Sequence, residues 1–191
     1  MTKVALPLDE AGMRALELVD MLADACERIE VAGSIRRRAS TVGDVELVAV
    51  PRFEEVDEGD LWGTLVPRSA LAARVDALIA DGTLALHPDD PKRGLLYQKL
   101  WIVDPGVQLD LFTPPVPSFG LILLIRTGPA DYSRQFVTDI KRARPPHHVA
   151  GGELHRGAHC WSVPCEAVPT PEEADVYAEV GRPFIDPWDR R

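Results

Sequence analysis

Three cysteines in 191 residues are too few, and odd in number, to form a disulfide framework, so the chain reads as one for a reducing compartment. Long apolar runs are also missing. The longest, FGLILLI at 119–125, falls far short of the roughly 20 residues that a membrane-spanning helix needs. The opening MTKVALPLDE shows no apolar core followed by small cleavage residues. No secretory signal and no membrane partner are expected, and the expected location is cytoplasmic. There is no repeat or low-complexity tract, and 46% hydrophobic with 27% charged residues is the balance of a globular chain. Net positive charge is absent too. At −9 the chain gains little from counterion release at DNA phosphates, which argues against nonspecific duplex binding. Residues 126–156 run against that trend, with six Lys and Arg against three acids, and any nucleic-acid contact is expected there.

Seventeen prolines punctuate the rest. After Pro7, residues 8–30 carry Ala15, Leu18, Val19, Leu22, Cys26 and Ile29, the stripe of an amphipathic helix. Strands are expected at 31–32, 45–50, 84–87, 95–103 and 107–112, with a second helix over 68–81 stopped by Gly82. Tyr132, Phe136 and Ile140 mark a further helix ending before Pro145-Pro146. A last helix is expected to start at Thr170 as N-cap, with Pro171 first, Glu173 closing a capping box and Gly181 as the stop. This order implies an α+β fold with a mixed or largely antiparallel sheet, and a boundary at the proline cluster 114–117.

The stretch GSIRRRASTVGDVEL at 33–47 carries the chemistry. Alternation in a strand puts Asp44 and Glu46 on one face and Val45 and Leu47 on the other. In VQLDLF at 107–112 the same pattern sets Asp110 opposite to Leu109 and Leu111. If the two strands are neighbours, three carboxylates converge, a donor set suited to Mg²⁺. A two-ion site of this kind can clamp the attacking and leaving oxygens of a phosphoryl or nucleotidyl transfer. Upstream, Gly33 lets a phosphate approach the backbone, Ser34 offers a hydroxyl, and Arg36 and Arg37 offer guanidinium forks.

The block Gly33-Ser34, Arg37, then Gly43-Asp44-Val45-Glu46 resembles the family X DNA polymerases (the polymerase-beta family) of the nucleotidyltransferase superfamily. Leu109-Asp110-Leu111, seventeen residues before Thr127-Gly128, is similar to the family's third carboxylate and thumb signal, and the tail from 168 to its closing helix. The likeness is nearest to the small stand-alone members of bacteria and phages. It implies a nucleotidyltransferase palm over 1–115, a small thumb over 116–191, and no lyase or helix-hairpin-helix domain. It further implies that Asp44, Glu46 and Asp110 hold two Mg²⁺ or Mn²⁺ ions and that Asp110 activates a primer 3′-hydroxyl. Gly33, Ser34, Arg37, Gly43, Thr127, Gly128, Tyr132 and Ser133 would bind the nucleotide. The implied partners are a (d)NTP and a primer/template or gapped nucleic acid, bound weakly through 126–156 by a monomer. The implied setting is DNA repair.

Several letters depart from that pattern. Glu46 stands where Asp is usual, which predicts a slower or manganese-preferring site. Pro129 follows Gly128 where Ser is usual, and a cis Gly128–Pro129 bond is expected. Ile125-Arg126 replaces an aromatic pair, Ser133 replaces an Asn, and Gln108 replaces an Arg. These departures leave two rivals: transfer to a small molecule, RNA end or protein, and a weakened nucleotide-binding module. His155, His159, Cys160 and Cys165 do not have the spacing of a structural zinc site and read as incidental, and His147-His148 reads as polar loop. Trp62, Trp101, Trp161 and Trp188 read as packing residues, with Trp188 fastening the tail.

Overall fold

The computed structural model describes residues 5–57, 59, 64–157 and 165–190. Trp62, His159, Cys160 and Trp161 therefore lie outside the described residues. A short β1 (Leu6–Pro7) leads into α1 (Leu8–Leu22), whose first turn carries Asp9 and Glu10 at the positive end of the helix dipole. Its buried face is Ala11, Ala15, Leu18 and Leu22. The helix stops eight residues earlier than the periodicity suggests. After a tight turn at Ala23–Ala25, Cys26–Val31 forms β2. Cys26 and Ile29 coincide with helical spacing, but Ile29 and Val31 pack in the core as strand residues, and tertiary pairing overrides the local pattern.

Gly33–Arg36 is a single helical turn, α2, followed by β3 (Thr41–Val42), which pairs with β1. β4 (Asp44–Pro51) is the central strand. A hairpin of β5 (Phe53–Asp57) and β6 (Leu65–Ser69) takes Arg68 and Ser69 out of the expected helix. The helix α3 spans Ala70–Ala80, and the Ser69 hydroxyl accepts from the Ala72 N–H at 3.1 Å as its cap. β7 (Leu84–Leu86), β8 (Lys92–Arg93), β9 (Tyr97–Ile102) and β10 (Val107–Phe112) complete the main sheet. Its order is β2-β4-β10-β9-β7, with β8 also on β9. Among the described strands of this sheet only β4 and β10 run parallel, so the sheet is mixed and the fold is α+β as expected. No helix among the described residues is long and apolar enough to cross a membrane.

The two faces of this sheet bury different things. Val45, Leu47, Ala49, Leu109 and Leu111 point to α1 and α3 and form the main core. On the other face Val48, Val50 and Phe112 meet Phe119 and Leu123 of α4 (Phe119–Thr127), the apolar run FGLILLI. α5 (Ala130–Arg142) follows, then a three-stranded antiparallel sheet of β11 (His147–Ala150), β12 (Glu153–Arg156) and β13 (Glu166–Val168), and α6 (Glu173–Glu179). A separate cluster of Leu121, Leu124, Phe136, Ile140, Leu154, Val176 and Tyr177 binds these elements together.

Three expectations are corrected here. His147 and His148 are buried strand residues, not polar loop, because β11 covers one flank of the second cluster. The cap of α6 is Glu172, with Asp175 closing the box. Thr170 instead bonds across the chain: its N–H donates to the Pro117 carbonyl at 2.6 Å and its carbonyl accepts from Gly120 at 2.9 Å. The Gly128–Pro129 bond is trans; the cis bonds among the described residues are Asp104–Pro105 and Arg144–Pro145. Gly128 closes α4 in extended backbone and Pro129 opens α5, so the pair serves as an ordinary helix–helix connection.

Two glycines separate packing from propensity. A Cβ on Gly120 would stand 2.1 Å from the Glu172 carbonyl carbon, whereas one on Gly12 in α1 meets nothing within 4 Å. Gly120→Ala should therefore destabilise the protein by about 1–3 kcal/mol or more, and Gly12→Ala should stabilise it by about 0.5–1 kcal/mol. Urea denaturation of the two variants checks this; similar shifts for both would contradict the packing account.

Candidate active site

Parallel pairing of β4 and β10 places Asp44 beside Gln108 and Glu46 directly across from Asp110. The neighbour condition posed by the sequence is met, and the three carboxylates share the face opposite the main core. Like charges facing each other across a strand pair are destabilising, so the surroundings decide whether the arrangement stands. Asp110 is held from both sides: Oδ1 accepts from the Tyr97 hydroxyl at 2.7 Å, and Oδ2 accepts from Gln108 Nε2 at 2.8 Å. Tyr97 is fixed in turn by stacking on Phe112, with ring centroids 4.9 Å apart. Arg126 lies over the same Phe112 ring at 4.1 Å, which brings its charge towards Glu46.

Glu46 is turned to the glycine turn. Gly33 has φ of +64°, and a Cβ there would lie 1.9 Å from Glu46 Oε2. Burial, then the Asp44 and Asp110 charges, push the Glu46 carboxyl up to about 7, against the pull of Arg126 and Arg37. Burial is the dominant cause acting on Arg37 as well and lowers its pKa, opposed by Glu46 and Asp44. Beside them, the Ser34 hydroxyl is buried with no hydrogen-bond partner among the described residues. Gly43 sits at the start of β4, immediately before Asp44.

The remaining expected residues divide. Arg37 Nη1 donates to the Thr127 carbonyl at 2.5 Å, and Arg36 Nη1 donates to the Thr127 hydroxyl at 3.1 Å. Arg36 also pairs with Glu173 at 2.8 Å, so α2, the end of α4 and α6 are tied by two arginines around one buried threonine. Gly128 follows directly. Tyr132 and Ser133 turn away from the carboxylates: the Tyr132 and Tyr177 hydroxyls are 2.5 Å apart, and the Ser133 hydroxyl donates to the Ile125 carbonyl at 2.7 Å. Arg38 is exposed, in left-handed backbone, with its guanidinium 4.8 Å from the Trp188 ring. The residue that buries the tail is Arg190, 3% exposed, whose Nη1 donates to Glu173 at 2.7 Å.

Hard oxygen donors on one face fit a divalent cation such as Mg²⁺ or Mn²⁺ in kind. Among the described residues, only His148, His155 and Cys165 bring three ligand atoms within 4.8 Å of one another. The Glu46 side chain reaches back over Gly33. The basic stretch is also less uniform than its composition suggests. Arg134 pairs with Asp131 and Arg156 with Glu179, while Lys141, Arg142 and Arg144 are exposed and form no ion pair among the described residues.

Sequence reasoning missed Tyr97 and Gln108 as the supports of Asp110, and Arg126 as the cation beside Glu46. The alternation in YQKLWI, read against VQLDLF, contains the signal for Tyr97 once the strands are paired. Nothing in the sequence alone pairs them.

Because Glu46 takes up its proton more readily folded than unfolded, the metal-free protein binds more protons in the folded state between pH 4.5 and about 7. Stability on this account is full below pH 4.5 and falls as pH rises through about 7. Glu46→Gln removes the penalty. With chelator present it should match the parent near pH 4.5 and exceed it at pH 8 by about 3 kcal/mol. Denaturation curves at the two pH values test this, and an advantage that does not grow with pH would count against it.

A search of protein-family models finds none that matches the chain.

Proposed function

We propose that the protein is a metal-dependent nucleotidyltransferase of the family X type, with a palm over 1–115 and a thumb over 116–191. It transfers a nucleotide from a (d)NTP to a nucleic-acid 3′-hydroxyl and releases pyrophosphate. The observation that carries this reading is the parallel register that aligns Asp44, Glu46 and Asp110 on one sheet face beside Gly33 and Ser34. Asp110, oriented by Tyr97 and Gln108, is the base for the attacking hydroxyl. The Ser34 hydroxyl has hydrogen-bonding capacity to give to a phosphate oxygen, and Arg37 and Arg126 supply positive charge around the acids. Two Mg²⁺ or Mn²⁺ ions held by the three carboxylates would neutralise the triphosphate and stabilise the attacking and leaving oxygens.

One observation favours an acceptor other than duplex DNA. Tyr132 and Ser133 bond within their own lobe, and Arg134 and Arg156 are neutralised, which leaves Lys141, Arg142 and Arg144 as the open basic cluster. Short or single-stranded ends, or a non-nucleic acceptor, need less grip than a duplex does.

The test is incubation with Mg²⁺ or Mn²⁺, labelled dNTP or NTP, and gapped DNA, single-stranded DNA or RNA. Nucleotide incorporation with at least one acceptor is the expected result; templated extension marks a polymerase, and untemplated addition keeps the enzyme class with a different acceptor rule. Asp110→Asn should lower incorporation by at least about 100-fold. Glu46→Asp should be faster than the parent in Mg²⁺, with a smaller advantage for Mn²⁺. Incorporation that survives Asp110→Asn, or none with any acceptor, defeats the proposal.

A further inference from the structure

The second lobe holds a cluster that the nucleotidyltransfer chemistry does not use. His148 on β11 is the direct cross-strand partner of His155 on β12, and their rings stack 5.1 Å apart. His155 pairs on its other side with Ala167 of β13. Cys165 is two residues before Ala167, so strand alternation sets its side chain on the same face, diagonal to His155. The three ligand atoms lie within 4.8 Å of one another. His148 is buried, and His155 and Cys165 are half-buried.

We propose that His148, His155 and Cys165 form a binding site for a soft divalent transition-metal ion, Zn²⁺ in particular. Two imidazoles and a thiolate are zinc's ligand types, and they discriminate against the hard cations that suit carboxylates. The cluster is near the size of a ligand shell and would close slightly around the ion. Zn–N bonds of about 2.0–2.1 Å and Zn–S of about 2.3 Å put tetrahedral donors roughly 3.3–3.6 Å apart. His155 Nδ1 lies 3.7 Å from Cys165 Sγ.

One histidine has the support that ligating histidines commonly use, and the other has a carboxylate nearby. The ring nitrogen that does not bind metal is commonly hydrogen-bonded to a carboxylate or backbone carbonyl, which fixes both tautomer and orientation. His155 Nε2 faces the Glu153 carboxylate at 3.7 Å, beyond hydrogen-bond reach but close enough to attract it, and Nδ1 is the nitrogen turned to Cys165. His148 Nδ1 is 3.1 Å from the Gly157 carbonyl, and the tautomer that donates there carries its lone pair on the other nitrogen. Both supports come from the same hairpin as their histidines. Binding converts the Cys165 thiol to thiolate and releases its proton to solvent, so affinity rises with pH. The ion would clip three strands whose apolar anchoring to the second cluster runs through Val149, Leu154 and Val168.

The site is independent of the carboxylates, and its test separates the two. Reduced, chelator-treated full chain is titrated with Co²⁺, which reports a thiolate ligand through a sulfur-to-cobalt charge-transfer band. Oxygen ligation at Asp44, Glu46 and Asp110 gives no such band. The expected result is a band that saturates at one equivalent and is displaced by Zn²⁺. It should vanish in Cys165→Ser, persist in Cys26→Ser, and need at least about tenfold more metal in His155→Ala. No band, or one that survives Cys165→Ser, overturns the proposal and leaves a hydrogen-bonded His–His–Cys cluster without metal. Should Cys165→Ser fail to fold, alkylation of the unmodified chain gives the same answer. Zn²⁺ but not Mg²⁺ should slow iodoacetamide labelling of Cys165, mapped by mass spectrometry, and equal labelling with and without Zn²⁺ counts against the site.

Discussion

Glu46 and Asp110 face each other across the one parallel strand pair of the main sheet, and this repulsive contact organises what lies around it. A carboxylate facing another across a strand pair in partly buried surroundings needs compensation to stay ionised. The structure supplies it unevenly. Asp110 receives two hydrogen-bond donors and keeps a fixed orientation. Glu46 has Arg37 and Arg126 nearby as charges, but burial still dominates and holds its carboxyl near neutrality. One acid of the pair is therefore orientated and the other is adjustable, although both come from the same face of the same sheet.

The even-numbered positions of β4 and β10 change character along the strands. They begin polar, with Asp44, Glu46, Gln108 and Asp110, and end as apolar residues at Val48, Val50 and Phe112. That change lets α4 pack on the sheet without covering the acids, with Phe119 and Leu123 seated just beyond them. Polar ties then fix the junction. Arg36 and Arg37 meet at Thr127, Arg28 reaches Glu172 at 2.6 Å while lying 4.0 Å over Phe119, and Arg190 joins Arg36 on Glu173. Removing Glu173 would leave two arginines, one of them buried, without their shared partner, a far larger cost than losing a surface pair.

The sheet was legible because its strands alternate strictly. Val45, Leu47, Leu109 and Leu111 announce the core face, and the acids follow as its complement. Three features resisted for physical reasons. Cys26–Val31 mimics helical spacing and becomes a strand only because β4 needs a partner on that edge. The cap of α6 moved because Thr170 bonds to Pro117 and Gly120, contacts 50 residues or more away in sequence that no local motif encodes. The His–His–Cys cluster spans Gly151-Gly152 and a second connection, so its members share no motif spacing and meet only through strand register.

Gly33 has two independent reasons to be glycine, and they bear differently on the chemistry. Its φ of +64° is a backbone demand that any L-residue would resist. The 1.9 Å clash with Glu46 Oε2 is a side-chain demand that exists only while Glu46 lies over the turn. The space above a glycine turn is what an approaching phosphate requires, and here the carboxyl fills it. A carboxyl titrating near 7 is a poor lid, because proton loss raises its cost in that buried place and favours any neighbour that offers positive charge. Asp at the same position would be one methylene shorter and unable to reach so far. The longer side chain thus couples two things that a shorter one keeps apart: the geometry of the carboxylate set and access to the Gly33-Ser34 turn.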